Sequence, residues 1–249
     1  MPIEVGQHNV EILENAAHWE RKPLLRKIYR RFYLEIAKEL RRDLDGVTVE
    51  IGSGIGNLKS VFPEALTTDI FANPWLDQVE NAYALTFEDA SVANLILFDV
   101  WHHLEFPGTA LAEFERVLAK GGRLVIFDPG MGLLGRIVYG AFHHEPLGLK
   151  EEIRWWAPPH FSPTEMTYYA AQGNAQRIFC SDEFSQQLAS WNIVRRERLA
   201  ALPYICSGGF SGPQLYPDQL YPAFEALDRA ANVAPSLFST RLLVALEKK

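Results

Sequence analysis

The sequence predicts an α/β fold in which helices cover both faces of a doubly wound, mostly parallel sheet. Strand-like and helix-like patterns alternate from residue 47 to about residue 128, which is the order expected of such a sheet. Residues 93–99 form an almost wholly apolar run, as is typical of a central parallel strand. A glycine-rich turn at 52–56 directly follows the first strand, and open α/β sheets bind ligands where their strands end. The sequence therefore predicts a ligand site beside that turn.

The chain before the first strand, residues 1–45, is expected to form a helical segment. Within it, residues 21–42 carry nine Lys or Arg and only two Glu, although the 249-residue chain has a net charge of −7. Apolar residues recur at every fourth position from Leu24 to Leu40, which predicts an amphipathic helix with a basic outer face. The helix either covers the sheet with its basic face in water, or uses that face as a docking surface for anionic lipid or a phosphorylated substrate.

Residues 46–249 are expected to form one domain. The β-branched run Val47–Ile51 predicts the first strand, and residues 57–62 can open a helix whose N–H groups face a ligand. A helix at 109–118 has its apolar residues on one face and is ended by Lys120-Gly121-Gly122. The strands predicted for this half of the domain are 47–51, 65–69, 93–99 and 123–127.

Two long segments interrupt the pattern in the second half of the chain. Residues 130–180 and 200–236 lack clear strand patterns, and inserts of this length are usually lids or binding elements. They hold helix candidates at Leu133–Phe142 and Tyr221–Ala231. The remaining elements predicted here are a helix at 181–191 capped by Ser181 and two strands at 192–199 and 241–247.

Composition limits the classes of function. A net charge of −7 argues against a general nucleic-acid binder. The two cysteines, Cys180 and Cys206, have a spacing that fits neither a disulfide framework nor a zinc knuckle, which suits a reducing cytosol. No apolar run reaches the ~20 residues that span a bilayer. We therefore expect a cytoplasmic protein without an integral membrane segment, with peripheral membrane contact left open for residues 21–42.

The glycine turn differs from a dinucleotide site at one position. The dinucleotide fingerprint is G-x-G-x-x-G, whereas here Gly56 comes one residue early and Asn57 stands where the third glycine would be. With Glu50 two residues before Gly52, the pattern acid-x-G-x-G-x-G resembles the first motif of the class I S-adenosylmethionine-dependent methyltransferases, with a type 11/12-like core. The resemblance covers roughly residues 45–130. It implies a seven-stranded Rossmann-like sheet whose last strand is antiparallel, and S-adenosylmethionine as the cofactor.

The resemblance also implies which residues hold that cofactor. Asp69 falls where the family ends its second strand with an acid for both ribose hydroxyls, since one carboxylate can accept from two OH groups. Asn81-Ala82 falls where the family contacts adenine, with Asn81 replacing the usual acid. The segment from Asp99 to Trp101 falls near the methionine end. The complete expected set is Glu50, Gly52, Ser53, Gly54, Gly56, Asp69, Ile70, Asn81, Ala82, Asp99, Val100 and Trp101.

Histidines are the candidate catalytic bases, because their pKa lies near working pH. His102 and His103 fall where the resemblance places the methyl group. His143 and His144 lie in the first insert beside Glu145, which could orient one of them. Each pair also has a plainer interpretation, as residues that shape a pocket or as a helix end at the surface. No metal is expected, since adjacent histidines on a helix point about 100° apart and rarely share one ion.

The expected function is transfer of a methyl group to a small-molecule or glycan-type acceptor, lipid-linked or free. Methylation of a quinone or of another small molecule is an equal alternative. A protein that binds S-adenosylmethionine in a regulatory or scaffold role, without methyl transfer, is a third possibility. A metal-dependent hydrolase is the rival from another chemistry; it draws on the two His-His pairs, Asp128 and Glu145, but has no H-E-x-x-H signature. No nucleic-acid partner is expected, and the oligomeric state is left open.

Overall fold

The structure is a computed structural model that describes residues 5–165 and 168–249. The helices in these ranges are α1 (Val5–Arg21), α2 (Pro23–Ala37), α3 (Pro107–Val117), α4 (Leu133–Phe142), α5 (Asn174–Phe179), α6 (Leu202–Cys206), α7 (Tyr221–Ala231) and α8 (Pro235–Phe238). The strands are β1 (Val47–Ile51), β2 (Leu66–Asp69), β3 (Gln78–Val79), β4 (Val92–Phe98), β5 (Leu118–Pro129), β6 (Trp191–Leu199) and β7 (Arg241–Lys248).

The strands form a single seven-stranded sheet in the order β3-β2-β1-β4-β5-β7-β6. All neighbours pair in parallel except β7, which lies antiparallel to both β5 and β6. The predicted sheet, mostly parallel with an antiparallel last strand, is therefore confirmed. Because β1, β2, β4 and β5 run in the same direction, their carboxyl ends meet at one edge, where an open α/β sheet offers its ligand site.

Apolar layers cover both faces of this sheet. On one face, Phe114 of α3 and Phe179 of α5 pack with Leu95 of β4, and all three are buried. On the other face, Phe32 of α2 packs with Ile96 of β4. Successive residues of β4 thus point to opposite cores, as a strand buried on both sides requires. The predicted doubly wound arrangement is confirmed.

The basic segment at 21–42 does not form one helix. Helix α1 ends at Arg21 and α2 begins at Pro23, because proline favours the first position of a helix and lacks the N–H that would continue α1. Helix α2 ends at Ala37. The expected apolar face is nevertheless correct, since its residues within α2 are buried. These residues are Leu24, Ile28, Phe32 and Ile36.

Several cations of this segment bind groups of the same chain. The Nζ of Lys22 donates to the carbonyls of Gly209 and Gly212, both at 2.6 Å. The guanidinium of Arg26 donates to the carbonyl of Trp19 at 2.6 Å, and that of Arg31 pairs with the buried Asp228 at 3.1 Å. Lys22 and Arg31 thus hold the helical segment to the domain, whereas Arg26 ties α2 to α1. A docking role for the remaining basic face stays a prediction.

One predicted helix is wrong. Residues 181–190 form turns, and Trp191 already begins β6; the helix lies just before, as α5. Phe184, Leu188 and Trp191 of this segment are buried. The backbone around them, however, mixes i+3 and i+4 hydrogen bonds instead of continuing a helix. Ser181 does not cap a new helix, because its Oγ donates back to the carbonyl of Arg177 in α5.

Among the other predicted elements, the helix at 109–118 ends at Val117, and Lys120-Gly121-Gly122, expected to end it, lies within β5 instead. The helix expected at 57–62 is a 3₁₀ turn at Asn57–Ser60, whereas α4 and α7 have the predicted bounds. Strand β3 and helices α5, α6 and α8 were not predicted, because two to six residues are too few to show a periodic pattern. Among the described helices, none combines the length and the apolar character needed to cross a bilayer.

A buried asparagine ties the end of the helical segment to the sheet. Asn94 in β4 accepts from the N–H of Arg41 at 2.7 Å, and its amide donates to the carbonyl of Arg41 and to Oγ1 of Thr48, both at 3.0 Å. We expect Asn94→Leu to lower the free energy of unfolding by about 2–4 kcal/mol, because it leaves both backbone groups of Arg41 unpaired. Thr48→Val, the control, loses one bond and should cost about 1 kcal/mol in the same urea titration. Equal losses for the two variants would contradict this account.

Candidate active site at the carboxyl edge of the sheet

The turn after β1 depends on three glycines in the left-handed region. Their φ angles are 71° at Gly52, 53° at Gly54 and 67° at Gly56, and residues other than glycine rarely adopt such values. A Cβ on Gly52 would overlap the side chain of Val100, whereas a Cβ on Gly54 would meet no atom within 4 Å. The turn therefore packs tightly against the core at Gly52 and leaves open space at Gly54.

Hydrogen bonds between β1 and β2 hold this turn in place. The N–H of Ser53 donates to the carbonyl of Thr68 at 2.8 Å, and the N–H of Thr68 donates to Oγ of Ser53 at 3.0 Å. The hydroxyl of Thr68 donates to the carbonyl of Glu50 at 2.8 Å. These buried contacts fix the direction of the backbone before the open position at Gly54.

Asp69 closes the turn from the end of β2. Its carboxylate accepts from the N–H of Gly54 at 3.0 Å and from the N–H of Ile70 at 2.7 Å. Asp69 is buried, so these N–H groups offset part of the cost of its charge. Asp69, which sequence reasoning placed at the ribose, is thus in direct contact with the glycine turn, and Ile70 contacts Asp69 through its N–H.

Glu50 is the least expected acid of this edge. Only 1% of it is exposed, and its Oε2 has no hydrogen-bond partner. Burial, together with the nearby charge of Asp69, raises the pKa of Glu50 to about 8. An unpartnered carboxyl oxygen in this position suits a ligand that brings a positive group.

Asp99 follows β4 at the same edge, with a left-handed φ of 55°. Its carboxylate pairs with the guanidinium of Arg241, which is buried and lies 4.5 Å from the ring centre of Tyr204. Sequence reasoning missed Arg241, because the start of the last predicted strand gives no sign that its side chain crosses to a distant acid. Asp99 is thereby held at the edge with its charge balanced.

The other expected cofactor residues have mixed surroundings. Val100 packs against Gly52, and Ala82 is buried. The amide of Asn81 donates to the carbonyl of Pro163 in the first insert at 2.8 Å. The indole of Trp101 is fully buried and lies 4.9 Å from the ring of Phe179, so its side chain faces the core and not the edge.

Three of the four candidate histidines surround one carboxylate. Glu145 lies 3.4 Å from Nε2 of His102, 3.6 Å from Nε2 of His103 and 3.6 Å from Nδ1 of His143. His144 lies outside this group, exposed and stacked on His143 with ring centres 4.9 Å apart. Sequence proximity suggested only that Glu145 orients His143 or His144; its contacts with His102 and His103 come from folding of the insert over the sheet.

The environments of His102 and His103 shift their pKa values in opposite directions. Burial lowers the pKa of His102, but Asp128, 3.0 Å from its Nδ1, and Glu145 outweigh burial and raise it to about 10. Burial and the charge of His102 lower the pKa of His103 to about 4. The Nδ1 of His103 lies 2.9 Å from the carbonyl of Tyr169. At neutral pH the cluster thus holds a charged and a neutral imidazole side by side.

Glu145 is held by more than histidines. The hydroxyl of Tyr168 and the amide of Gln172 both donate to its carboxylate. Burial alone would raise the pKa of Glu145, but hydrogen bonds and the nearby histidines keep it well below its usual range. The charge of Asp99 also acts on His103 and His143, which places the cluster near the end of β4.

A basic cleft opens beyond the end of β5. It has a volume of about 790 Å³ and begins beside Met131, three residues after Asp128. Sequence reasoning did not group the charged residues of this cleft, because they come from four separate segments of the chain. The charged residues that line the cleft are Arg136, Lys150, Arg177, Arg196, Glu197 and Arg198.

The two ends of the glycine turn should respond differently to a methyl group. We expect Gly52→Ala to lower the free energy of unfolding by about 2–4 kcal/mol, from backbone strain and overlap with Val100. Gly54→Ala has only the backbone strain and should cost about 1 kcal/mol. Urea unfolding of both variants measures the difference, and a costlier change at Gly54 would refute the described packing.

The raised pKa of Glu50 should appear in the pH dependence of stability. Between its unfolded value near 4.5 and about 8, the folded state keeps a proton that the unfolded state has lost, so stability falls as pH rises. We expect Glu50→Gln to gain stability relative to the unmodified protein as pH rises from 5 to 8, measured by thermal unfolding. The exposed Glu64→Gln controls for net charge, and a constant difference for Glu50→Gln across this range would contradict the assignment.

Comparison with known proteins agrees with this geometry. Residues 49–126 match the family described as methyltransferase domain. No curated protein sequence matches the chain. A solved S-adenosylmethionine-dependent methyltransferase from Thermotoga maritima is similar, with a TM-score of 0.50 and 16% identity over 96% of this chain and 98% of that one.

Geranyl diphosphate methyltransferases are also similar in structure. One, in complex with S-adenosylmethionine, has a TM-score of 0.52 and 14% identity, covering 88% of this chain and 85% of that chain. Another, from Streptomyces coelicolor with Mg²⁺, geranyl diphosphate and S-adenosylhomocysteine, has a TM-score of 0.50 and 14% identity, covering 88% and 77%. The domain match and this likeness support S-adenosylmethionine-dependent methyl transfer. The chain has the fold of the class I S-adenosylmethionine-dependent methyltransferases, and its residues 49–126 match a methyltransferase domain.

Proposed function

We propose that the protein is an enzyme that transfers a methyl group from S-adenosylmethionine to a small-molecule or glycan-type acceptor. The observation that carries this proposal is the edge formed by the glycine turn, Glu50 and Asp69. There, an open backbone position at Gly54 lies beside two buried acids that end neighbouring parallel strands. A cofactor with a ribose and two cationic groups, an ammonium and a sulfonium, matches that set of groups.

Each part of the cofactor has a proposed partner. The turn from Gly52 to Gly56, with Ser53, would surround the methionine and ribose, and Asp69 would accept from the ribose hydroxyls beside Ile70. Asn81 and Ala82 would border the adenine. Asp99 and Val100, with the backbone of Trp101, would lie at the methionine end, where the negative charge of Asp99 and the unpartnered carboxyl oxygen of Glu50 favour the cationic groups.

Methyl transfer is an in-line displacement at a carbon that the sulfonium already activates. The chain must align the acceptor, exclude water and, for a hydroxyl acceptor, take up a proton. We assign the proton acceptor to the histidine cluster around Glu145. His103 suits this role, because its Nδ1 donates to the carbonyl of Tyr169, which leaves the lone pair on Nε2, and its side chain is one-third exposed. His102 is held charged, and His143 and His144 lie farther out, where they would contact the acceptor.

The basic cleft favours an acceptor that carries negative charge. Its lining holds five cationic side chains and one carboxylate, and it opens where β5 and β6 end. A phosphate or carboxylate group on a small molecule would find complementary charge there. The similar methyltransferase from Streptomyces coelicolor holds geranyl diphosphate, a small molecule with such a group. A glycan or quinone acceptor is compatible with the histidine cluster around Glu145, but it lacks the negative charge that the basic cleft favours.

Cofactor binding is the first test. We expect calorimetry to show binding of S-adenosylmethionine and its demethylated product, and Asp69→Ala to weaken it at least ~10-fold, about 1.4 kcal/mol. Because Asp69 also holds the N–H of Gly54, Asp69→Asn serves as the milder variant; it keeps one acceptor oxygen and should lose less. Asp89→Asn, at an exposed acid paired with Arg116, is the control and should bind normally. Unchanged affinity in Asp69→Ala would remove the ribose assignment.

Turnover is the second test. With phosphorylated, phenolic and sugar acceptors, formation of S-adenosylhomocysteine identifies the acceptor class. For the acceptor that reacts, we expect His103→Gln to lower kcat by ~10²–10⁴ while cofactor affinity stays normal. A protein that binds cofactor and never produces S-adenosylhomocysteine would instead be a binding protein without methyl transfer.

A further inference from the structure

We propose that His102, His103 and Glu145 form a binding site for one divalent transition-metal ion. Each of these residues offers one ligand atom, and the three atoms all lie within 4.8 Å of one another. Binding of the ion does not depend on the proposed methyl transfer. Its part in catalysis rests on the proposed methyl transfer.

The other nitrogen of each imidazole is already occupied. Nδ1 of His102 lies 3.0 Å from a carboxylate oxygen of Asp128, and Nδ1 of His103 lies 2.9 Å from the carbonyl of Tyr169. Both partners can only accept, so each Nδ1 carries a hydrogen and donates it. In the neutral ring, the lone pair is then on Nε2, which is the state that binds metal.

Both Nε2 atoms face the same carboxylate. The distances are 3.4 Å from His102 to Oε2 and 3.6 Å from His103 to Oε1 of Glu145. Metal–ligand bonds of 2.0–2.1 Å at tetrahedral angles separate neighbouring ligand atoms by about 3.3 Å. Two lone pairs and a carboxylate at this spacing repel one another unless a positive charge lies between them. That charge is either the metal ion or a proton shared by His102 and Glu145.

The backbone brings two adjacent histidines to one point. His102 and His103 lie on a 3₁₀ turn, Trp101–His103, and their ring centres are 4.1 Å apart. The expectation that adjacent histidines diverge applies to an α-helix and does not hold for this turn. Glu145 comes from the first insert, which is tied to the same turn by a 2.9 Å hydrogen bond from the N–H of Ala171 to the carbonyl of His102.

Groups behind the ligands orient them as in known metal sites. Asp128 is fully buried and binds the far nitrogen of His102, which gives a carboxylate–histidine–metal arrangement. Tyr168 and Gln172 bind the carboxylate of Glu145 from the other side. Such outer partners fix ring orientation and ligand basicity. Each of the three ligand side chains is thus held by a hydrogen bond from or to a neighbouring group.

The ligand set selects the kind of metal. Two imidazoles and one carboxylate suit Zn²⁺, Co²⁺ or Fe²⁺, whereas Mg²⁺ and Ca²⁺ prefer oxygen ligands alone. Three protein ligands leave at least one position open, on the side where His103 is one-third exposed. A hydroxyl or phenol of the acceptor bound there would lose its proton more readily. In that state His102 and His103 are ligands, and the metal replaces His103 as the group that activates the acceptor.

The test uses the full chain, stripped of metal with a chelator and titrated with Co²⁺ alone. We expect one ion per chain and visible absorption bands from a protein-bound Co²⁺, displaced by Zn²⁺. Asp128→Asn should weaken binding ~10–100-fold, and Glu145→Gln more than that. His160→Gln changes an exposed histidine of the same insert and should bind as the unmodified protein does.

Three results would overturn the proposal. These are no Co²⁺ binding by the unmodified protein, equal binding by Glu145→Gln, or loss of binding in His160→Gln. The titration of the unmodified protein keeps the test valid if Glu145→Gln fails to fold, which circular dichroism detects. Cofactor affinity is measured separately: a chain that binds Co²⁺ and not S-adenosylmethionine contradicts the proposed function alone, and the reverse contradicts the metal site alone.

Discussion

Buried negative charge at the carboxyl edge of the sheet is the constraint on which the site depends. Glu50, Asp69, Asp99 and Asp128 each lie at the end of a different parallel strand; Asp99 is half-buried and the other three are buried, and burying a carboxylate is costly unless something neutralises it. The chain uses a different device for each acid. Asp69 accepts from backbone N–H groups, Asp99 pairs with Arg241, Asp128 binds His102, and Glu50 keeps its proton.

These devices link the edge to distant parts of the chain. Arg241 comes from β7, so the last strand of the sheet neutralises the acid after β4. Asp128 holds His102, and His102 contacts Glu145 of the first insert. Tyr168 and Gln172 of the same insert also bind the carboxylate of Glu145. The insert is therefore positioned by polar contacts that begin in the sheet. Its placement over the edge follows from the same requirement that keeps the acids paired.

Much of the sheet and half of the site follow from local sequence. The bounds of β1, the glycine turn and the acid of β2 were predictable, because strand pattern, glycine and spacing act over a few residues. The contacts of Glu145 with His102 and the pairing of Asp99 with Arg241 were not, since they join residues far apart in the chain. The turns at 181–190 show the intermediate case: they lie where a helix was predicted and they bury Phe184 and Leu188, but burial alone does not decide between a helix and a series of turns.

The place of β7 in the sheet has a consequence for how the protein folds. Strand β6 pairs only with β7, and β7 also covers the free side of β5. During synthesis, β5 and β6 exist well before residues 241–248 are available, so both present unpaired backbone edges in that interval. Closing the sheet then requires a contact between segments more than a hundred residues apart, which is slow to form. The nascent chain is thus most exposed to aggregation just before β7, its antiparallel strand, becomes available.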